Sequence, residues 1–75
     1  MPDATLDTLA PGARGTVTGY RGALPERLLE LGLIPGTTVE VVRLAPLGDP
    51  MELKVRGFLL SVGKDEAAHV EIREG

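Results

Sequence analysis

Between residues 27 and 42 the chain reads RLLELGLIPGTTVEVV, a helix-spaced apolar run cut off by Gly32, turned at Pro35-Gly36 and followed at once by a Val-rich run. Leu24, Leu28 and Leu31 stand at i, i+4 and i+7, with Leu29 beside them and Glu26, Arg27 and Glu30 on the other side. That spacing predicts a helical stripe over residues 24–31. Pro25 suits the first turn, where its missing N–H has no partner to lose, although Leu24 offers no capping oxygen. Gly32 can take the left-handed conformation that closes a helix, which brings Leu33 within reach of Leu28 in a Schellman arrangement. A helix of about two turns does not persist alone in water, so it must dock on the rest of the chain or on a partner.

The remaining segments read as strands joined by tight connections. Arg14 to Tyr20 has the Thr and Val content of a strand, with Gly19 marking a bulge or a close backbone approach. Pro35 and Gly36 fit the central positions of a type II turn. In Thr38 to Leu44, Val39 and Val41 share one face while Val42 and Leu44 share the other, so this strand is covered on both faces or bulged near Val42. Met51, Leu53 and Val55 alternate with Glu52, Lys54 and Arg56, and beyond Gly57 the inward set is expected to continue through Phe58, Leu60 and Val62. A single helical turn is expected over residues 66–69, and Val70 and Ile72 supply a last strand. TLDTL, ahead of the Ala10-Pro11-Gly12 turn, is at most one helical turn or a short extended lead.

One strand, a short helix, then several closely connected strands cannot form the alternating layout of a parallel α/β sheet. The expected fold is all-β: a single domain spanning residues 1–75, a small β-barrel with one short α-helix between the first and second main strands. A chain of this length is one domain with incomplete burial. Tyr20 and Phe58 are its only aromatic residues, so the core is aliphatic.

Eight basic against eleven acidic side chains give a formal charge of −3, which argues against broad phosphate attraction and so against nucleic acid as a partner. With no cysteine there are no disulfides, thiolate metal sites or thiol chemistry. MPDATLDTLAPG lacks the basic, apolar character of a secretory signal, and the uncharged runs are too short to span a bilayer, so the expectation is a cytoplasmic protein without membrane insertion.

Motifs that suggest chemistry read better as turns. Gly57 to Asp65 has five residues between its glycines where a P-loop has four, and Asp65 replaces the hydroxyl that would meet magnesium. The two G-x-x-G spacings, at residues 12–15 and 19–22, lack the flanking helices of a KH clamp. His69 is the sole histidine; Asp65, Glu66 and Glu71 near it could at most collect a divalent cation weakly. Ser61 has no base assigned by sequence, and Arg21, Arg27 and Arg56 read as solvated charges. No enzyme, cofactor or metal ligand is expected.

Leu28, Leu29, Leu31, Leu33 and Ile34 carry more apolar area than one-sided docking of so short a helix needs. Core packing claims Leu28 and Leu31 first, while Leu29 and Ile34 point away from the stripe. The APLGDP loop, stiffened by Pro46 and Pro50, leaves Leu47 without a strand to hide it. The partner-contact surface is therefore expected at Leu29, Ile34, Leu47 and Asp49.

The L-G-L-x-P-G exit at Leu31, Gly32, Leu33, Pro35 and Gly36, the A-P-L-G-D-P loop at residues 45–50, the R-G at Arg56-Gly57 and the leading T-L-x-x-L-x-P-G from Thr5 to Gly12 together closely resemble the FeoA family of small bacterial proteins of ferrous iron transport. The resemblance implies an SH3-like barrel that acts with the cytoplasmic part of the ferrous iron transporter FeoB, which carries a GTP-binding domain. It extends to the C-terminal module of DtxR-type metal-dependent repressors, which implies an alternative role in sensing a divalent transition metal, though the matching positions hold no Cys or His cluster. Self-association through the apolar helix face or an uncovered strand edge, giving a homo-oligomer, is a third reading.

Overall fold

The computed structural model describes residues 4–22 and 26–75. Leu24 and Pro25, at the start of the expected helix, and Met1–Asp3 lie outside the described residues. In chain order the elements are β1 (Ala4–Thr5), a 3-10 turn (Leu6–Thr8), β2 (Arg14–Tyr20), α1 (Glu26–Glu30), β3 (Thr38–Leu44), β4 (Met51–Val55), β5 (Phe58–Val62), α2 (Lys64–Ala67) and β6 (Val70–Glu74). The strands form one sheet in the order β1-β6-β2-β3-β4-β5, every neighbouring pair antiparallel. The fold is mostly β, as expected, with α1 between the first two long strands. The leading segment is both an extended lead and a 3-10 turn, and the late helical turn begins at Lys64, ahead of the expected residues.

The sheet curls around one aliphatic core. Val17, Val39, Val41, Met51, Leu53, Val55, Val62, Val70 and Ile72 supply its strand side, and Leu6, Leu9, Leu28, Leu33 and Ala67 close the ends. Two bulges allow the curl. Register shifts between Val17 and Gly19 on β2, and between Val41 and Arg43 on β3, leaving Val42 on the outside. The extra residue bends each strand and increases its twist, which a short sheet needs in order to enclose a core. Gly15, buried on β2, lies against β6: a Cβ there would stand 3.1 Å from the Arg73 carbonyl oxygen and from Ile72 Cδ1.

The helix exit is built as its residues predict. The Leu33 N–H donates to Leu28 O at 2.9 Å and the Gly32 N–H to Leu29 O at 3.0 Å, with Gly32 at φ +97°, which is a Schellman motif. Leu28 and Leu33 are both fully buried, so α1 and its exit are fastened to the core at two points. Thr37 N–H then bonds Ile34 O at 3.0 Å around Pro35 and Gly36, whose φ of +94° fits the type II turn. The exit carbonyls are satisfied too: Thr37 Oγ1 donates to Gly32 O at 3.1 Å, and the Tyr20 hydroxyl donates to Leu33 O.

Two expectations are corrected. Leu31, placed on the core stripe, is 37% exposed, because it lies just past the last residue of α1 and the chain swings away at Gly32 before its side chain can reach the interior. Phe58, placed in the inward set, is 72% exposed. Its parity matches Leu60 and Val62, but it stands on the margin strand opposite the buried Val55, so at this level the core ends under β4 and does not reach beneath β5. Arg56 at φ +52° and Gly57 at φ +85° give the β4–β5 hairpin turn its primed form, the one that matches strand twist.

Candidate docking surface

Three polar ties fix the surface around the core. Arg27 on α1 grips Glu66 on α2 through two parallel hydrogen bonds, Nη2 to Oε1 at 2.6 Å and Nε to Oε2 at 3.1 Å, and Nη2 also reaches Ser61 O on β5 at 3.4 Å. The pair holds the Glu66 carboxyl below the usual carboxylate range, first through the hydrogen bond from Arg27, and holds the Arg27 guanidinium above its ordinary value for the same reason. Arg21 pairs with Glu71 at 3.1 Å and Arg43 with Glu52 at 3.0 Å. Arg21 and Arg27, read from sequence as solvated charges, are exposed but partnered, and Arg56 Nη2 lies 3.4 Å from Thr37 Oγ1.

The four residues expected to form the contact surface fall in two places. Leu29 is half-buried on α1, and Ile34, 40% exposed, stands at its exit. Leu47, 96% exposed, tips the loop between β3 and β4, where Gly48 N–H closes a turn on Ala45 O at 2.7 Å and Ala45 N–H bonds Pro50 O at 3.0 Å. The turn holds Leu47 out in solvent. Asp49 has a structural task as well: its Oδ1 accepts the Lys64 N–H at 2.9 Å, capping α2, whose own N-cap residue Gly63 has no side chain to offer.

Beside the loop is a groove of about 450 Å³ lined by Arg43, Leu44, Pro46, Pro50, Glu52 and Ser61. A second, of about 460 Å³, runs between the end of α1 and the β4–β5 hairpin, lined by Glu30, Leu31, Val55, Phe58, Leu59 and Leu60. None of the four expected residues is among the described lining of either groove. The second groove adjoins the largest run of exposed apolar residues on the sheet, Phe58 and Leu59, which sequence reasoning missed. Its signal was present in FLLSV, five consecutive uncharged residues in which Leu59 breaks the alternation.

Around His69, the Nδ1 atom lies 2.7 Å from Arg21 O, and the Arg21 N–H returns a bond to His69 O at 2.8 Å. A carbonyl only accepts, so Nδ1 carries the proton and only Nε2 can offer a lone pair. Among the described residues, no group of three or more His, Cys, Asp or Glu could hold a metal ion. No helix among them is long and apolar enough to cross a membrane.

A family model described as the FeoA domain matches residues 4–74. The chain belongs to the FeoA family. The Fe(2+) transport protein A/Fe(2+) transporter FeoB fusion protein of Porphyromonas gingivalis is 36% identical over 52 residues, which cover 69% of the chain but 6% of that much longer relative. The solution structure of the FeoA protein from Chlorobium tepidum superposes with a TM-score of 0.84 at 38% identity, over 93% of this chain and 69% of that one. Stenotrophomonas maltophilia FeoA in complex with zinc, described as an SH3 domain protein, gives a TM-score of 0.79 at 25% identity, over 92% and 88% of the two chains. The SH3-like FeoA fold expected from the sequence is thus the observed one. A manganese-dependent transcriptional repressor shares the fold alone, with a TM-score of 0.87 at 15% identity, over 100% of this chain and 42% of that one.

Proposed function

We propose that this FeoA-family chain is a non-catalytic cytoplasmic accessory of bacterial ferrous iron uptake that docks on the cytoplasmic part of a FeoB-type transporter and modulates its assembly or its GTP-linked cycle. The observation that carries the reading is the Porphyromonas gingivalis fusion, in which a segment like this one is joined to the transporter in a single polypeptide. Joining two modules raises their effective concentration and favours contact between them. Leu47, held in solvent by its turn, and Ile34 at the helix exit, with Leu29 beside it, offer apolar contacts, while Asp49 keeps the loop in place through α2. Pull-down with the transporter's purified cytoplasmic region tests this. The expected result is capture of the wild type and loss of capture when Leu29 and Leu47 are both changed to Asp; unchanged capture of the folded double variant rejects the surface, and no capture of the wild type rejects the reading.

A second reading, that the domain itself binds a divalent metal ion and signals occupancy, is favoured by the zinc complex of the Stenotrophomonas maltophilia relative. Here the ligands would be His69 Nε2 and carboxylates, of which Glu71 would first have to release Arg21. Titration calorimetry with ferrous, manganous and zinc ions separates the readings: tight binding that His69→Ala abolishes supports sensing, and heats indistinguishable from buffer reject it.

A further inference from the structure

We propose that β5 is a self-association edge, through which two copies of the chain pair antiparallel about Leu59, each seating its Phe58 beside Leu60 in the other's groove. The proposal goes beyond transporter docking and does not depend on it.

The sheet has two margins. One, β1, has two described residues, Ala4 and Thr5. The other is β5, whose sequence FLLSV has no charge, no proline and no bulge. Those are three of the devices by which strand edges repel a second strand, and β5 carries none of the three; cover by α1 is confined to its Ser61 end, through Arg27. A two-fold axis sets like side chains against like, so an edge bearing a charge at its centre would oppose its own copy, whereas FLLSV does not.

The hydrogen-bond pattern fixes the register. Val55 pairs with Phe58 across the two-residue turn, Leu53 with Leu60 and Met51 with Val62. The closing pair of such a hairpin is a hydrogen-bonded one, so Phe58, Leu60 and Val62 turn their N–H and C=O groups toward β4 while Leu59 and Ser61 turn theirs outward. Ser61 O is already engaged by Arg27. The open part of the edge is therefore Leu59, and pairing centred there gives reciprocal N–H to C=O bonds between the two Leu59 residues and places Phe58 opposite the second copy's Leu60. Leu60 lines the groove with Leu31, so the face that projects Phe58 also holds the recess that receives it. Glu30 and Arg56, one of each sign, flank the recess, so the copies meet no excess of like charge.

Sedimentation equilibrium on the full chain, carried up to about 1 mM, tests the proposal together with concentration-dependent exchange of the Leu59 amide. The expected result is a mass rising from 7.9 kDa toward its double, protection of the Leu59 N–H as the dimer fills, and association weakened about tenfold or more by Leu59→Lys and by Phe58→Ser. Both side chains are mostly exposed in the single chain, so neither change threatens its folding. A chain that stays monomeric throughout overturns the proposal. So does a dimer indifferent to both substitutions, or one that leaves the Leu59 amide unprotected. Protection of that amide in a monomeric chain on adding a transporter fragment would also overturn it, by assigning the edge to a different strand.

Discussion

Arg27 and Glu66 meet through both of their forked termini, and this one pair joins the helix inserted after β2 to the helix turn before β6, residues 39 positions apart. Because the Glu66 carboxyl is held below its ordinary value, its contribution to stability is fully present above the unfolded glutamate value of about 4.3 and is lost as pH falls through the lower folded value. Glu66→Gln should lower the melting temperature slightly at pH 7, and the gap from wild type should close on acidification through that window. Melting curves at a series of pH values check it; a gap that persists in acid would assign the effect to packing.

Glycine at the helix exit is required by backbone geometry and not by space. A Cβ at Gly32 meets nothing within 4 Å, yet φ is +97°. Gly32→Ala should therefore destabilise by about 1 to 2 kcal/mol, the cost of a left-handed alanine. Gly57→Ala, at φ +85° and equally open, should behave alike, while Arg56→Asn should be neutral or stabilising because Asn-Gly suits the primed turn. Urea titrations of the three variants give the comparison.

Leu28 and Leu31 are three residues apart and should respond very differently. Leu28→Ala empties a fully buried site and should cost about 2 to 5 kcal/mol, enough to unfold much of a domain this small. Leu31→Ala, just past the helix and partly exposed, should cost about 1 kcal/mol. Equal losses in thermal melts would contradict the orientation of α1.

Asp49 separates structure from recognition. Asp49→Ala removes the carboxylate that caps Lys64 N–H and should destabilise by about 1 kcal/mol, whereas Asp49→Asn should retain most of the cap. If Asp49 also touches the transporter by its charge, Asn will fold normally and bind less well. Pull-down and melting temperature measured on the same two proteins distinguish these effects.

Tyr20 is the sole tyrosine, and there is no tryptophan, so its phenol can be followed alone by absorbance. Burial pushes its ionisation above the ordinary tyrosine value. Stability from this group is present below about pH 10, the unfolded value, and is lost as pH rises toward the folded one. Tyr20→Phe removes the bond to Leu33 O and should cost about 0.5 to 1.5 kcal/mol at neutral pH. A phenol that titrates at the ordinary value in the folded chain would exclude the buried contact.

Turn chemistry made much of this fold legible. Gly32, Pro35 and Gly36 carried the helix exit and the turn after it, and the run Val41-Val42 left β3 either covered on both faces or bulged, of which the bulge is what forms. Parity failed where the core ended: Phe58 obeys the alternation of Leu60 and Val62, but alternation records which side a residue faces and not whether anything lies there. Leu31 failed for a related reason, since helical spacing cannot register that the chain departs one residue later. Long-range polar pairs such as Arg27 with Glu66 leave no local pattern in a sequence. The contact residues Leu29, Ile34, Leu47 and Asp49 were chosen for expected exposure alone, and Asp49 shows how a residue on the surface can be occupied internally.

The two-fold pairing of β5 also governs how far the sheet can grow. Were β5 to pair with its own copy, each chain would spend that edge on the other, leaving no second β5 free to extend the composite sheet. Assembly would stop at a closed pair, and an apolar edge that invites company would carry no tendency to polymerise into fibrils.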